Sequence, residues 1–477
     1  MLSFLQTLSS NLLTQPAFFI GIFVFIGLLA LKKPLHECIS GFLKTAVGFF
    51  ILSIGSSGLT STFMPVINAL GTKFGISAAM VDTYFLVGQM YGKTGLYSIA
   101  NAAAWTTFCF AISIAVNFLL VLLNKWTKVR TLYVTGHVLN GYSTLLIWMV
   151  YILVPGTQTL YFSLLFGVLC GTWAAVGSNF TVEATRRLTG NAGFAVGHQE
   201  MLGILLVDKI AHIFGKPEDS VENMQLPGFL ALFKDNVVST AVLMLFFVGG
   251  MMLFIGEKAM HAVDPSFATT TLFIIYILTK CIYFSVYMYI LLAGVRMFVA
   301  EIMKAFDGIS KNILKGSIPA VDCAITFNYA HPNVPMIGFI FGFFGQMIAI
   351  TGLLVFKSPL FLVPGFVPLF FDNATLAVYA NKRGGKNAAI IIPLLNGIFQ
   401  VVVSLGMLLF FKNIAGVSLV AWPGFFDNNT FFAILMLTVH YINPYVAISA
   451  IIVILLIANQ LYYRAHKDGY FGVEDKA

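Results

Sequence analysis

Apolar runs long enough to cross a hydrocarbon core recur along the whole chain, and they leave little freedom in what it can fold into. A bilayer core about 30 Å thick takes about 20 consecutive apolar residues as helix. Ala102–Leu123, Val334–Phe356 and Ala388–Phe411 all meet that length. These runs do not alternate apolar with polar residues, so a membrane β-barrel is excluded. With 59% hydrophobic and only 10% charged residues over 477 positions, the chain reads as an all-α polytopic membrane protein. Its net charge of +8 is assigned to cytoplasmic loops rather than to a nucleic-acid partner.

Eleven spans are expected. They are about Ala17–Leu31, Phe42–Gly58, Ala102–Leu123, His137–Val154, Leu160–Val176, Val237–Ile255, Leu272–Val295, Val334–Phe356, Phe361–Ala380, Ala388–Phe411 and Phe431–Leu461. The ninth is broken by Pro and Gly, and Asn443-Pro444 should kink the last. The uncharged N-terminus lacks the basic region of a signal peptide, so the first run counts as a span. With the N-terminus outside and the C-terminus cytoplasmic, only Lys258, Lys357 and Lys412 of the 27 Lys and Arg fall in outside loops. Lys73, Lys93 and Lys280 lie in or near apolar or broken segments, and all others are cytoplasmic. That asymmetry is the positive-inside pattern and sets the expected orientation.

The two halves echo each other. Phe49–Gly55 resembles Met288–Gly294, Val81-Asp82 resembles Val321-Asp322, and Val134–Val138 resembles Val363–Val367. Pro227-Gly-Phe229 with Asp235 resembles Pro423-Gly-Phe425 with Asp427, at a shorter offset. The expected plan is repeat one at about 1–235 and repeat two at about 236–428. A final helix and tail follow at about 429–477. Five spans per repeat is odd, so the second copy is inverted, and its site lies among broken helices at the repeat interface. Gly55–Tyr84 and Gly316–Asp322 are the expected discontinuous, re-entrant segments.

Few polar residues interrupt the apolar background, and those few carry the functional argument. Asp322 sits in Ser317-Ile-Pro-Ala-Val-Asp-Cys-Ala324, where an intramembrane carboxylate needs a partner or water. Asp82-Thr83-Tyr84 is its counterpart, and Tyr84 brings stacking area and a hydroxyl. His137 follows Thr135-Gly136 at the start of a span. His198-Gln199-Glu200 interrupts a glycine-flanked stretch; the His–Gln pair offers several donors and acceptors, and His198 is a candidate proton acceptor. The five cysteines are scattered singly without ligand spacing, so no metal site and no cofactor are expected. No nucleotide-binding or HExxH motif is present.

Thr135-Gly-His137, Gly197-His-Gln199, Asp235-Asn-Val-Val-Ser-Thr-Ala241, Val295-Arg-Met-Phe-Val-Ala-Glu301, Val321-Asp-Cys-Ala324 and Pro364-Gly-Phe-Val-Pro368 occur in that order along nearly the whole chain. In these strings the sequence resembles the ascorbate-specific enzyme IIC permeases of the bacterial phosphotransferase system. The resemblance implies a homodimer of eleven-span protomers. It implies an elevator-like motion of a substrate-binding core domain. It also implies phosphorylation of L-ascorbate by the phosphocysteine of a separate enzyme IIB, recharged by enzyme IIA. The chain itself would be a transport subunit rather than an enzyme. Substrate contacts carried over are Ser56, Thr83, Tyr84, His137, His198, Gln199 and Asp322. The family places a Gln four residues after the His of its TGH string, and this chain has Gly141 there. That departure leaves another sugar or a polyol as an alternative substrate. Ion-coupled secondary transport is the alternative mechanism, since inverted repeats with intramembrane Asp82 and Asp322 would serve it too.

Overall fold

The computed structural model describes residues 16–75, 77–90, 95–224, 228, 236–312, 314 and 316–471. Among these, eight helices are long and apolar enough to cross a membrane. The number is nine if the pair Thr240–Ile255 and Glu257–Val263, bent by 94°, forms one span. The molecule is therefore mostly helical and multi-pass, although the spans are not divided as the hydropathy pattern suggested.

Two helices of 40 residues, Leu35–Phe74 and Phe273–Asn312, form the longest packed pair. Of the expected discontinuous segment Gly55–Tyr84, the part through Phe74 is continuous helix, and a strand follows only at Ser77–Val81. The glycines there serve packing instead. A Cβ on Gly48 would lie 2.8 Å from the Gly294 carbonyl oxygen, and one on Gly55 would lie 2.7 Å from Leu291 Cβ. With no hydrophobic force between helices in lipid, such close backbone approach is what glycine provides.

Each long helix is followed by a short extended strand, β1 (Ser77–Val81) and β4 (Ile318–Val321) respectively. Four more strands complete two small parallel sheets: β2 (Thr131–Tyr133), β3 (Ala195–Val196), β5 (Leu360–Pro364) and β6 (Ala421–Trp422). The all-α expectation is corrected at this point. One sheet has the order β5-β1-β6 and the other β2-β4-β3. Extended backbone inside an apolar molecule must have its N–H and C=O groups paired. The pairing accomplishes this across the two halves of the chain, with Val81 opposite Pro364 and Trp422 and with Ala320 opposite Tyr133 and Ala195. Hydropathy cannot reveal strands of two to five residues that pair only across long sequence distances.

Two further boundaries differ from expectation. Asn373–Phe410 is one run, but Gly385 adopts φ 66°, ψ −160° within it. Asn396 and Gln400 donate to Asp372 at 2.8 and 2.9 Å, and Gln400 also donates to the Pro368 carbonyl at 3.2 Å. The pairs 372/396 and 368/400 are both centred on residue 384, so the chain folds back there into two arms. These correspond to the expected ninth and tenth spans. The last span is divided rather than kinked. One helix ends at Tyr441 and the next starts at Pro444. The Asn443 side chain accepts from the Tyr445 and Val446 N–H groups at 3.1 and 3.3 Å, capping the new helix.

Candidate functional site: a His–His–carboxylate pocket at the ends of three strands

The three strands of the β2-β4-β3 sheet run parallel, so their carboxyl ends share one edge. Two residues or fewer separate most of those ends from a polar side chain: β4 leads to Asp322 and β3 through Gly197 to His198, while β2 leads through Val134-Thr-Gly136 to His137. The sheet thereby delivers three groups, up to 185 positions apart in sequence, to one place.

Asp322 is held by its own backbone. Its Oδ1 accepts the Ala324 N–H at 3.0 Å, capping the turn that follows. Oδ2 is left facing two imidazoles, 3.6 Å from His137 Nε2 and 3.9 Å from His198 Nε2. The two imidazole centroids are 6.0 Å apart. Both distances to Oδ2 exceed a good hydrogen bond, which leaves acceptor and donor capacity for a ligand. The Asp322 side chain is 29% exposed, against 8% for His198 and 11% for His137, so the carboxylate is the most open of the three. Phe298 and Phe425 wall the rings edge-on, at 6.0 Å from His137 and 5.4 Å from His198.

His198 is the most tightly fixed member. Its Nδ1 lies 2.8 Å from Glu200 Oε2, and its carbonyl accepts the Tyr142 hydroxyl at 3.0 Å. Neither Glu200 nor Tyr142 had been given a role from sequence. Glu200 was visible two residues beyond His198, but the side-chain direction that pairs them depends on the turn after β3. Asp427 completes the support. It accepts from the Met201 and Leu202 N–H groups at 3.0 and 2.9 Å, and its own N–H donates to the Gln199 carbonyl at 2.9 Å. Gln199 itself is half-buried beside His198, and its side chain forms no hydrogen bond among the described residues.

The other expected contacts divide. Tyr84 is partly buried, and its backbone N–H donates to Asp82 Oδ1 at 2.8 Å. Thr83 is buried and its hydroxyl donates to the Pro423 carbonyl at 3.2 Å, which ties β6 to the turn after β1. Asp82 is buried, capping the next helix through the Tyr84 N–H at 2.8 Å, while its Oδ2 has no hydrogen-bond partner among the described residues. Ser56 falls on the Leu35–Phe74 helix, but its side chain lies outside the described residues. So do Pro227, Phe229 and Asp235 of the fourth repeat match. A Cβ at Gly141, one helical turn past His137, would meet nothing within 4 Å. Two trios, His137–His198–Asp322 and His198–Glu200–Cys323, have ligand atoms within 4.8 Å of one another. That spacing is close enough for a metal ion: in the first trio the two Nε2 atoms face Asp322 Oδ2, while His198 Nδ1 is held by Glu200 and Asp322 Oδ1 by the Ala324 N–H.

The structure is a multi-pass helical scaffold in which two imidazoles and a carboxylate meet at the ends of three strands. Residues 11–423 match the family of PTS system sugar-specific permease components, and the chain belongs to that family. It is also similar to the ascorbate-specific PTS system EIIC component of Mycoplasma pneumoniae, with 30% identity over 428 residues. The match covers 82% of this chain and 65% of that relative, just under two thirds of the relative's length.

Proposed function

We propose that this permease binds L-ascorbate from outside and carries it across the bacterial inner membrane. It would then present the ascorbate to a separate enzyme IIB, recharged by enzyme IIA, for phosphorylation. The observation that carries this reading is the convergence of His137, His198 and Asp322 at the ends of β2, β3 and β4. An enediol ring with vicinal hydroxyls both donates and accepts hydrogen bonds. Asp322 Oδ2 accepts from such hydroxyls, and the two imidazoles and Gln199 supply the complementary groups. The similarity to an ascorbate-specific relative agrees with that chemistry.

The exchange of strands supports an inverted-repeat reading. Each sheet has a central strand from one half flanked by two strands from the other, and each central strand follows a 40-residue helix. On that reading β1, β2 and β3 correspond to β4, β5 and β6, and the partner of the Pro423-Gly-Phe425 string is the turn after β3 rather than Pro227-Gly-Phe229. Eleven spans, a homodimer, an outside N-terminus and a core that moves as an elevator complete the proposal.

The open space at Gly141 favours a second reading, in which the same machinery takes a different sugar or a polyol. Proteoliposomes test both. With phosphorylated IIB inside, labelled L-ascorbate should accumulate as the phosphate. Without IIB it should bind and not accumulate. Accumulation driven by a sodium or proton gradient alone would overturn the phosphotransfer reading in favour of ion-coupled transport.

A further inference from the structure

Glu200 is wholly buried, at the first turn of the helix Met201–Ile210. A carboxylate there would ordinarily cap the free N–H groups of that turn. Here Asp427, from the other half of the chain, accepts from Met201 and Leu202, and the Glu200 side chain makes no cap bond. Its Oε2 is instead 2.8 Å from His198 Nδ1, and its Oε1 has no hydrogen-bond partner among the described residues. Burying a carboxylate costs free energy unless it is paired, and His198 is the charge-bearing partner of its Oε2, with the Cys323 thiol close by.

We propose that Glu200 is a positioning residue that holds the proton of His198 on Nδ1 and turns the bare Nε2 toward the substrate hydroxyl beside Asp322. This rests on the phosphotransfer reading above and deepens it. In the transfer, the hydroxyl oxygen forms a bond to phosphorus and the S–P bond of the IIB phosphocysteine breaks, leaving the thiolate on IIB. The hydroxyl proton passes to His198 Nε2, and the resulting imidazolium is offset by Glu200. A base oriented by a second buried carboxylate is a general device for such proton transfers. Besides Glu200, the titratable groups around His198 and Glu200 among the described residues are His137, Asp322 and Cys323, with Tyr133, Tyr142, Tyr379, Asp372 and Asp427 behind them.

The test has two arms. Imidazole 15N NMR in nanodiscs, with His198→Asn to assign the signal, reads the tautomer directly and needs neither substrate nor IIB. The wild type and Glu200→Gln should show His198 protonated at Nδ1, since a Gln Oε1 still accepts that N–H. Glu200→Ala should show a mixture of tautomers. Ascorbate binding and single-turnover transfer from phosphorylated IIB across a pH series form the second arm. Glu200→Gln should bind within about three-fold of wild type yet transfer on the order of 10²-fold more slowly, and Glu200→Asp should recover part of the rate. A wild-type tautomer in Glu200→Ala overturns the proposal, as does an unchanged rate and pH profile in Glu200→Gln. If the wild type neither binds ascorbate nor supports its phosphorylation by IIB, the proposed function fails while the tautomer arm still decides the placement of Glu200.

Discussion

Replacing Asp322 with Asn separates the two jobs of that residue. Oδ1 caps the turn Cys323–Tyr329 through the Ala324 N–H at 3.0 Å, and the Asn side-chain oxygen can keep that bond. Oδ2 faces His137 and His198 at 3.6 and 3.9 Å, and there Asn presents an uncharged NH2 that cannot accept a substrate hydroxyl. A hydrogen bond to a charged group contributes about 1.5–3 kcal/mol. Because the Asp322 side chain keeps 29% of its exposure, water competes for Oδ2 and the lower part of that range applies. Asp322→Asn should therefore weaken ascorbate binding by about 1.5–2 kcal/mol, roughly 10- to 30-fold, with little change in melting temperature. Asp322→Ala should show the same loss of binding and also lose about 1 kcal/mol of stability with the cap. Isothermal titration calorimetry on detergent-purified protein, with a thermal melt of each variant, reads both effects. A folded Asp322→Asn protein that binds within three-fold of wild type would falsify the assignment of Oδ2 as the substrate acceptor.

Other expectations follow from the same geometry. Gln199→Ala should weaken ascorbate binding by about 1–3 kcal/mol if a buried substrate group loses its partner, measured in the same titration. Gly294→Ala places a Cβ 2.5 Å from the Gly48 carbonyl oxygen and from the Leu52 nitrogen. It should cost about 1–3 kcal/mol of overpacking, seen as a lower melting temperature, whereas Gly141→Ala should leave stability nearly unchanged. Asp264 lies in the connection before the Phe273–Asn312 helix. Burial raises its pKa, but Lys280 at 2.8 Å with the Tyr276 and Ser266 hydroxyls outweighs that and holds it at about 2. A carboxylate depressed in the folded state contributes stability above its unfolded pKa of about 4, and that contribution is lost as pH falls through about 2. Asp264→Asn should flatten the acid limb of the melting curve. All five native cysteines are buried, so introduced ones can be read cleanly. A cysteine at exposed Lys258 should react with an impermeant thiol reagent from outside, and one at exposed Asp468 only after permeabilisation; the reverse pattern would refute the orientation.

What the sequence determined by itself rests on local signals. Apolar run length set the class and most span positions, because one helix satisfies its own backbone and needs no partner to be recognised. The rarity of polar residues in those runs singled out His137, His198 and Asp322, since each polar group in an apolar setting has to be compensated. Other features were decided only by contacts between distant segments. Gly55–Tyr84 read as a broken segment because its glycines and polar residues suit an ordinary span poorly, yet close packing of Gly55 on Leu291 and of Gly58 on Tyr287 makes its first part a helix seam. Each of the six strands pairs only with strands from the other half of the chain. The pairing of Glu200 with His198 depends on Asp427 taking over the cap of the next helix. The pocket itself is of this second kind, because three residues with no common motif meet only where three parallel strands end on one edge.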